Sequence, residues 1–128
     1  MNKKVKYWIE LSDYDLDTAL AMFQTGRYLY VGFMCHQSIE KILKAYFNSQ
    51  SEDPAPFTHS LSHLAKRCNL YEQLSENQLD FIDLLEPLNI EARYPTHKEQ
   101  LLKSLTKERC ELIMENTKML KQWITVKL

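Results

Sequence analysis

Residues 28–47 decide the fold, and they read Tyr28-Leu29-Tyr30-Val31-Gly32-Phe33-Met34-Cys35-His36-Gln37-Ser38-Ile39-Glu40-Lys41-Ile42-Leu43-Lys44-Ala45-Tyr46-Phe47. On a helix of about 100° per residue, one face gathers apolar and small side chains. These are Tyr28, Gly32, Cys35, Ile39, Ile42, Leu43 and Tyr46. A neighbouring stripe carries the ionisable residues His36, Glu40 and Lys44, each four positions after the last. Because the apolar arc is wide, we expect this helix to be covered on several sides, at the centre of the fold.

The composition of the whole chain favours long helices and few turns. The chain has 128 residues, of which two are glycine. At an average usage of about 7%, such a chain holds roughly nine glycines, and a sheet protein with many tight turns needs them. The apolar fraction of 45% and the charged fraction of 26% are those of an ordinary globular domain. We therefore predict a single all-α domain over residues 1–128, an up-and-down bundle of four to five helices.

Apolar spacing and turn residues predict the first three helices. A first helix is expected over about 3–24, and Gly26 suits the left-handed position after its end. Since the loop is only three residues long, the second helix, over about 28–48, is expected to return antiparallel to the first. A polar, proline-bearing loop follows. A short third helix is then expected over about 59–68.

Capping signals predict two later helices. Ser75 begins a capping box, so a fourth helix is expected to start there and to kink at Pro87. Its predicted core face consists of Phe81, Leu84, Leu85, Leu88 and Ala92. Thr106 is expected to cap a last helix over about 107–125. Residues 97–105 between them are expected to form a linker that can include a helical turn.

Charge, cysteine usage and hydropathy exclude several classes of protein. The net charge is −1, which gives no bulk basic signal for nucleic acid. Cys35, Cys68 and Cys110 lack metal-ligand spacing, so buried, reduced thiols are expected. No apolar run reaches the roughly 18 residues of a spanning helix, and the N-terminus leads into charged residues rather than a signal core. We expect a cytoplasmic protein with no membrane association and no cofactor.

Three motifs follow one another in the chain. They are His36-Gln37-Ser38-Ile39-Glu40-Lys41-Ile42-Leu43-Lys44-Ala45, then Thr58-His59-Ser60-Leu61, then Arg93-Tyr94-Pro95. Together they resemble the HEPN domain family, named for its occurrence in higher eukaryotes and prokaryotes and for nucleotide binding. The resemblance covers nearly the whole chain and is to the minimal single-domain prokaryotic type. It implies a bundle of four or five helices that commonly dimerises.

The resemblance also implies two functional branches. Many family members are RNA-cleaving toxins in which four to six residues separate an Arg from a His. Others are encoded beside a minimal nucleotidyltransferase and act as nucleotide-binding or partner subunits, sometimes in toxin–antitoxin pairs. Here three residues separate Arg93 from His97, one fewer than the nuclease pattern, and Pro95 is among them.

We therefore predict a nucleotide- or RNA-associated interaction module that forms a homodimer and partners a minimal nucleotidyltransferase in a toxin–antitoxin-like pair. The alternative is a metal-independent ribonuclease that uses Arg93 and His97. In that interpretation an imidazole takes the 2′-hydroxyl proton and a guanidinium stabilises the charged phosphorane. The sequence leaves open whether the chain is an enzyme.

Further residues are candidates for ligand binding. The set comprises His36, Glu40, Lys44, Asn89, Arg93 and Tyr94. The structural alternative for the first three is a helical Glu–Lys pair beside a hydrogen-bonded histidine, and for Arg93 a helix cap. His59 and His63 have the i, i+4 spacing of metal ligands, but no third ligand is evident, so no metal site is predicted.

Four aromatic residues, three of them near the N-terminus, allow two interpretations. Tyr7, Trp8, Tyr14 and Trp123 can serve as exposed platforms for bases, or they can belong to the core or a dimer surface. Lys3, Lys4 and Lys6 form a short basic tip, which is expected to be solvated.

Overall fold

Helices make up the architecture of the described chain. The computed structural model describes residues 2–90 and 94–128, and neither range contains a strand. The α-helices are α1 (Lys3–Gln24), α2 (Tyr28–Gln50), α3 (Leu61–Arg67), α4 (Glu76–Leu85), α5 (Pro95–Ser104) and α6 (Lys107–Thr125). Short 3-10 turns occupy Tyr71–Gln73 and Glu86–Leu88. The predicted all-α bundle is confirmed, and the described residues form six α-helices.

Helix α2 is the central element, as its wide apolar arc predicted. It packs most extensively against α1 and then against α6, and it also contacts α3, α4 and α5. Fifteen of its 23 residues are buried, including the whole side chains of Ile39 and Ile42. Gly32 lets the Glu86–Leu88 turn approach closely, since a Cβ atom there would lie 3.1 Å from Leu88 Cδ1.

Helices α1 and α2 form an antiparallel pair joined by a tight loop. Gly26 takes a φ of 75°, the left-handed conformation expected of it after a helix end. Midway along the pair, Ser12 Oγ donates to the Ser38 carbonyl at 2.8 Å. Further along, Lys41 Nζ contacts Asp15 Oδ2 at 2.8 Å. These polar links hold the two helices in one register.

Helix α6 lies beside α2 and runs parallel to it. The Cys110 thiol, near the start of α6, approaches the carbonyl of Tyr28 at the start of α2. Seven residues later along both helices, the Cys35 thiol lies beside the Thr117 side chain. The predicted Thr106 cap is also confirmed, because its side chain accepts a hydrogen bond from a backbone N–H in the first turn.

Helix α4 is shorter than the sequence predicted. The capping box at Ser75 is present, but the helix ends at Leu85 rather than kinking and continuing. Pro87 has no N–H for the preceding turn, so the chain tightens into a 3-10 turn there. Leu84 was assigned to the core face and is instead 39% exposed. Ala92, assigned to the same face, lies outside the described residues.

The prediction of a linker over residues 97–105 is wrong, because α5 occupies most of that range. Tyr94 is extended, as a residue before proline should be, and Pro95 then starts the helix. At the first helical position the missing proline N–H breaks no hydrogen bond. None of the α5 residues is buried. This helix therefore lacks the apolar periodicity by which the others were predicted.

Candidate functional site

The polar stripe of α2 is a buried ion-pair cluster. Glu40 is 2% exposed, and its carboxylate accepts hydrogen bonds from Lys44 Nζ at 3.1 Å and His59 Nδ1 at 2.9 Å. Lys44 lies one turn further along α2, whereas His59 comes from the loop before α3. The cluster therefore fastens that loop to the centre of the bundle.

His36 lies beside this cluster and is 1% exposed. Its Nδ1 is 3.2 Å from Gln37 Oε1. Burial lowers the pKa of His36, against smaller raising effects from Gln37 and from the charge of Glu40. Because its ordinary pKa is already near 6.5, the imidazole is neutral at pH 7 and offers no positive charge to a phosphate.

Lys44 connects the buried cluster to Trp8 on α1. Its Nζ lies 5.3 Å from the centre of the indole ring, within the range of a cation–π interaction. Trp8 Nε1 also donates to Asn48 Oδ1 at 3.0 Å. The amide nitrogen of Asn48 in turn donates to the carbonyls of Ser51 and Asp53. The indole is thus held at both its face and its N–H.

Trp8 forms part of the wall of a pocket of about 520 Å³. We call it the aromatic pocket, and its lining residues are Lys3, Lys4, Tyr7, Trp8, Asn48, Pro54, Ala55 and Phe57. Phe57 is fully exposed, and Tyr7 is 56% exposed. The Tyr7 ring meets the Trp8 ring edge to face, with centroids 5.2 Å apart. The volume falls in the range of small-molecule sites.

Two lysines border the aromatic pocket. Lys4 Nζ donates to the backbone carbonyl of Glu52, which leaves the ammonium charge unneutralised. Neither Lys3 nor Lys4 takes part in an ion pair with the residues that the structure describes, whereas Lys6 lies 4.0 Å from Glu10. The basic tip is therefore partly a pocket rim, which the sequence did not reveal.

The other predicted site residues lie around the start of α5. Tyr94 is 84% exposed, whereas Asn89 is 5% exposed and sits after the helix has ended. His97 occupies the first turn of α5, and its Nε2 is buried without a hydrogen-bond partner within residues 2–90 and 94–128. Arg93 lies outside the described residues. Asn89 does not lie on a continuous α4, because α4 ends at Leu85 and the Glu86–Leu88 turn follows it.

The sequence did not predict which side chains link one structural element to another. His59 was considered as a helix-supporting or metal-binding residue, and its pairing with Glu40 was not predicted. Glu86 was also missed as a cap: its carboxylate accepts from the Leu61 N–H at 2.5 Å and from Ser60 Oγ at 3.3 Å. The usable sequence signal for the aromatic pocket was the proline-bearing loop that contains Phe57, together with the lysines and aromatic residues at the start of α1.

The described residues contain neither an activated cysteine nucleophile nor a metal-binding cluster. Cys35, Cys68 and Cys110 are buried free thiols, as predicted. Burial raises the pKa of Cys35 to about 12 and of Cys68 and Cys110 to about 11, so none is a thiolate at neutral pH. No group of three or more His, Cys, Asp or Glu residues in the described ranges could hold a metal ion.

No helix in the described ranges has the length and apolar character needed to cross a bilayer.

Comparisons with known proteins agree on the fold. A family model of the HEPN domain matches residues 5–127. The crystal structure of TT1696 from Thermus thermophilus superposes with a TM-score of 0.84, covering 99% of this chain and 100% of that chain. The two sequences are 18% identical, so this likeness shows the shared fold alone. Comparison with curated protein sequences finds no match.

Proposed function

Because the chain belongs to the HEPN family, we propose that it is a nucleotide- or RNA-associated interaction module. The observation that carries this proposal is the family match over residues 5–127. The aromatic pocket supports it, since ammonium groups bind phosphates and aromatic faces bind bases. The test is an electrophoretic mobility shift with single-stranded RNA in EDTA, alongside calorimetric titration with AMP. We expect one of the two ligands to bind, and failure of both would contradict the proposal.

In this proposal, the predicted ligand residues act at two places in the bundle. Glu40 and Lys44, with His36 beside them, support the aromatic pocket from behind through the contact of Lys44 with Trp8. The second proposed place is the segment of Asn89, Arg93 and Tyr94, and its support is the exposed ring of Tyr94, which can stack on a base. Tyr94→Ala should then weaken RNA binding without loss of helicity, and unchanged binding would remove Tyr94 from the site.

The proposed protein partner is a minimal nucleotidyltransferase. The support is the resemblance to those family members that are encoded beside such an enzyme. The test is co-expression with a minimal nucleotidyltransferase encoded next to this gene, followed by affinity capture and size-exclusion chromatography. We expect the two chains to elute together. Separate elution, or the absence of such a neighbouring gene, would contradict this part of the proposal.

The module is also proposed to be a homodimer. Leu112 and Met119 on α6 are 64% and 65% exposed and lie seven residues apart, on one stripe of the helix. Sedimentation equilibrium at tens of micromolar protein should give twice the chain mass of 15.2 kDa. Leu112→Asp should return the monomer mass, whereas Val126→Asp, at a position 69% exposed, should not. A wild-type protein that sediments as a monomer would contradict the dimer.

A ribonuclease is the second candidate, favoured by one observation at His97. Its buried Nε2 has no partner in the described chain, so this nitrogen could exchange a proton with a 2′-hydroxyl. Since the Arg93–His97 spacing is one residue short, we expect weak or no cleavage of single-stranded RNA in EDTA. Cleavage that Arg93→Ala and His97→Ala both abolish, with circular dichroism unchanged, would make the nuclease the better account.

A further inference from the structure

We propose that the aromatic pocket binds one nucleotide of single-stranded RNA, with its base on the aromatic rings and its phosphate at Lys3 and Lys4. This inference rests on the proposed function, because it names the surface through which the module holds its ligand. The volume of about 520 Å³ is large enough for a nucleotide.

Phe57 is the clearest sign that the aromatic pocket is a binding surface rather than part of the core. Its ring is fully exposed, so it contributes nothing to the core. Pro54 and Pro56 on either side of Ala55 restrict the loop that carries it, which lowers the entropy lost when the ring becomes ordered on a ligand. An exposed aromatic side chain on a loop whose backbone is restricted in this way suits stacking on a base.

Trp8 is held in place before any ligand arrives. Its N–H is already donated to Asn48, and Lys44, itself held by Glu40, interacts with the ring. The indole therefore has no free donor with which to read the edge of a base. Recognition by stacking alone tolerates every base, and it requires bases that are not already stacked in a duplex. The aromatic pocket should consequently prefer single strands and show little sequence preference.

The charges around the aromatic pocket fit a phosphate. Lys3 and Lys4 carry ammonium groups at its rim, and neither forms an ion pair within the described residues. Glu52 lines an adjacent groove together with both lysines, so its carboxylate opposes an anion there. This predicts opposite signs for two substitutions: loss of the lysines weakens binding, and Glu52→Gln strengthens it.

The experiment is a fluorescence-anisotropy titration of a 5′-labelled six-nucleotide oligoadenylate with the full chain and its variants. Phe57→Ala should weaken binding by roughly 5- to 150-fold, the range seen when one stacked base loses its aromatic partner. Its control is Tyr30→Ala, which removes a 48% exposed ring at the other end of α2 and should leave the affinity unchanged.

The phosphate contact is tested by salt dependence. Lys3→Ala with Lys4→Ala should reduce the slope of log affinity against log salt by about 0.7, since the two lysines share one phosphate and each phosphate contact on a single strand contributes about 0.7. The charge-matched control, Lys107→Ala with Lys118→Ala, removes two exposed lysines of α6 outside the aromatic pocket. It should leave that slope nearly unchanged.

The outcomes separate this inference from the proposed function. If the wild-type chain binds the RNA and Phe57→Ala and the double lysine variant bind equally well, the aromatic pocket is not the site, while the proposed function stands. Tighter binding of the same sequence as a duplex would also overturn the inference. If Phe57→Ala instead converts a sedimenting dimer into a monomer, a second copy of the chain covers the aromatic pocket, and the inference is wrong.

Discussion

Glu40 sits where two hydrogen-bonding partners from different parts of the chain converge. Its carboxylate is buried and holds both Lys44 and His59. Removing the carboxylate leaves the buried Lys44 ammonium without its counter-charge. Glu40→Ala should therefore lower the free energy of unfolding by about 3–5 kcal/mol in urea denaturation. Glu10→Ala, at an exposed carboxylate, should change it by less than about 1 kcal/mol. A similar small loss in both variants would show that the cluster does not stabilise the fold.

His36 should make stability depend on pH. Because burial lowers its pKa in the folded state, the unfolded chain takes up the proton first as the pH falls below about 6.5. The free energy of unfolding then falls by up to about 1.4 kcal/mol per pH unit, until the pH reaches the pKa of His36 in the folded state. Glu40 and His59 face the His36 ring, and both are still present in the His36→Gln variant, so any effect of theirs is common to the two proteins. Urea denaturation of His36→Gln between about pH 7.5 and 5 should show a shallower decline than wild type. Parallel declines would contradict a neutral, buried His36.

The thiols should be inert in the folded protein. Burial raises the pKa of all three cysteines to about 11 or 12, so little thiolate exists at about pH 8. Ellman's reagent should detect no rapidly reacting thiol in the native protein and three in guanidinium chloride. One fast-reacting thiol in the native state would show that a cysteine is exposed or activated.

At the scale of elements, Glu86 connects the end of α4 to the start of α3. Its carboxylate accepts the Leu61 N–H, which is one of the unpaired donors of the first turn. Glu86→Ala should lower the free energy of unfolding by about 1–3 kcal/mol, because a partly buried donor loses its acceptor. Glu76→Ala, at an exposed position in the first turn of α4, is the control. An equal effect in the two variants would argue against the cap.

How well an element could be predicted depended on how much of it is buried. The sequence predicted α1, α2 and α6 closely, because long apolar stripes and local caps such as Thr106 act within one helix. It missed α5, which buries none of its residues and carries no stripe. It extended α4 beyond Leu85, since a proline inside an apolar pattern can kink a helix or end it, and the pattern does not decide which.

The candidate site was harder to predict than the fold because it is built between elements. Spacing placed Glu40 and Lys44 on one helical stripe, and the structure confirms that they pair. Spacing carries no information on what faces that stripe. His59 and Trp8 reach it from a loop and from another helix, 19 residues after Glu40 and 36 before Lys44 along the chain. Their roles follow from tertiary packing alone.

At the scale of the whole molecule, the proposed RNA-binding and dimerisation surfaces lie at different places. The aromatic pocket lies where the start of α1 meets the end of α2, and the apolar stripe proposed for dimerisation runs along α6. The buried cluster on α2 supports the pocket wall and fastens the loop before α3. Under these proposals, the bundle supports an RNA-binding end that stays open in the dimer.

The most direct test is a nitrogen-15 NMR titration of the Trp123→Phe variant with the six-nucleotide oligoadenylate. This variant leaves Trp8 as the one indole in the chain, so a single side-chain resonance reports on the aromatic pocket. We predict a saturable shift of the Trp8 indole signal on RNA addition, and no shift of Trp123 in the Trp8→Phe variant. A Trp8 signal that does not move while RNA binds, or a Trp123 signal that moves instead, would contradict the account.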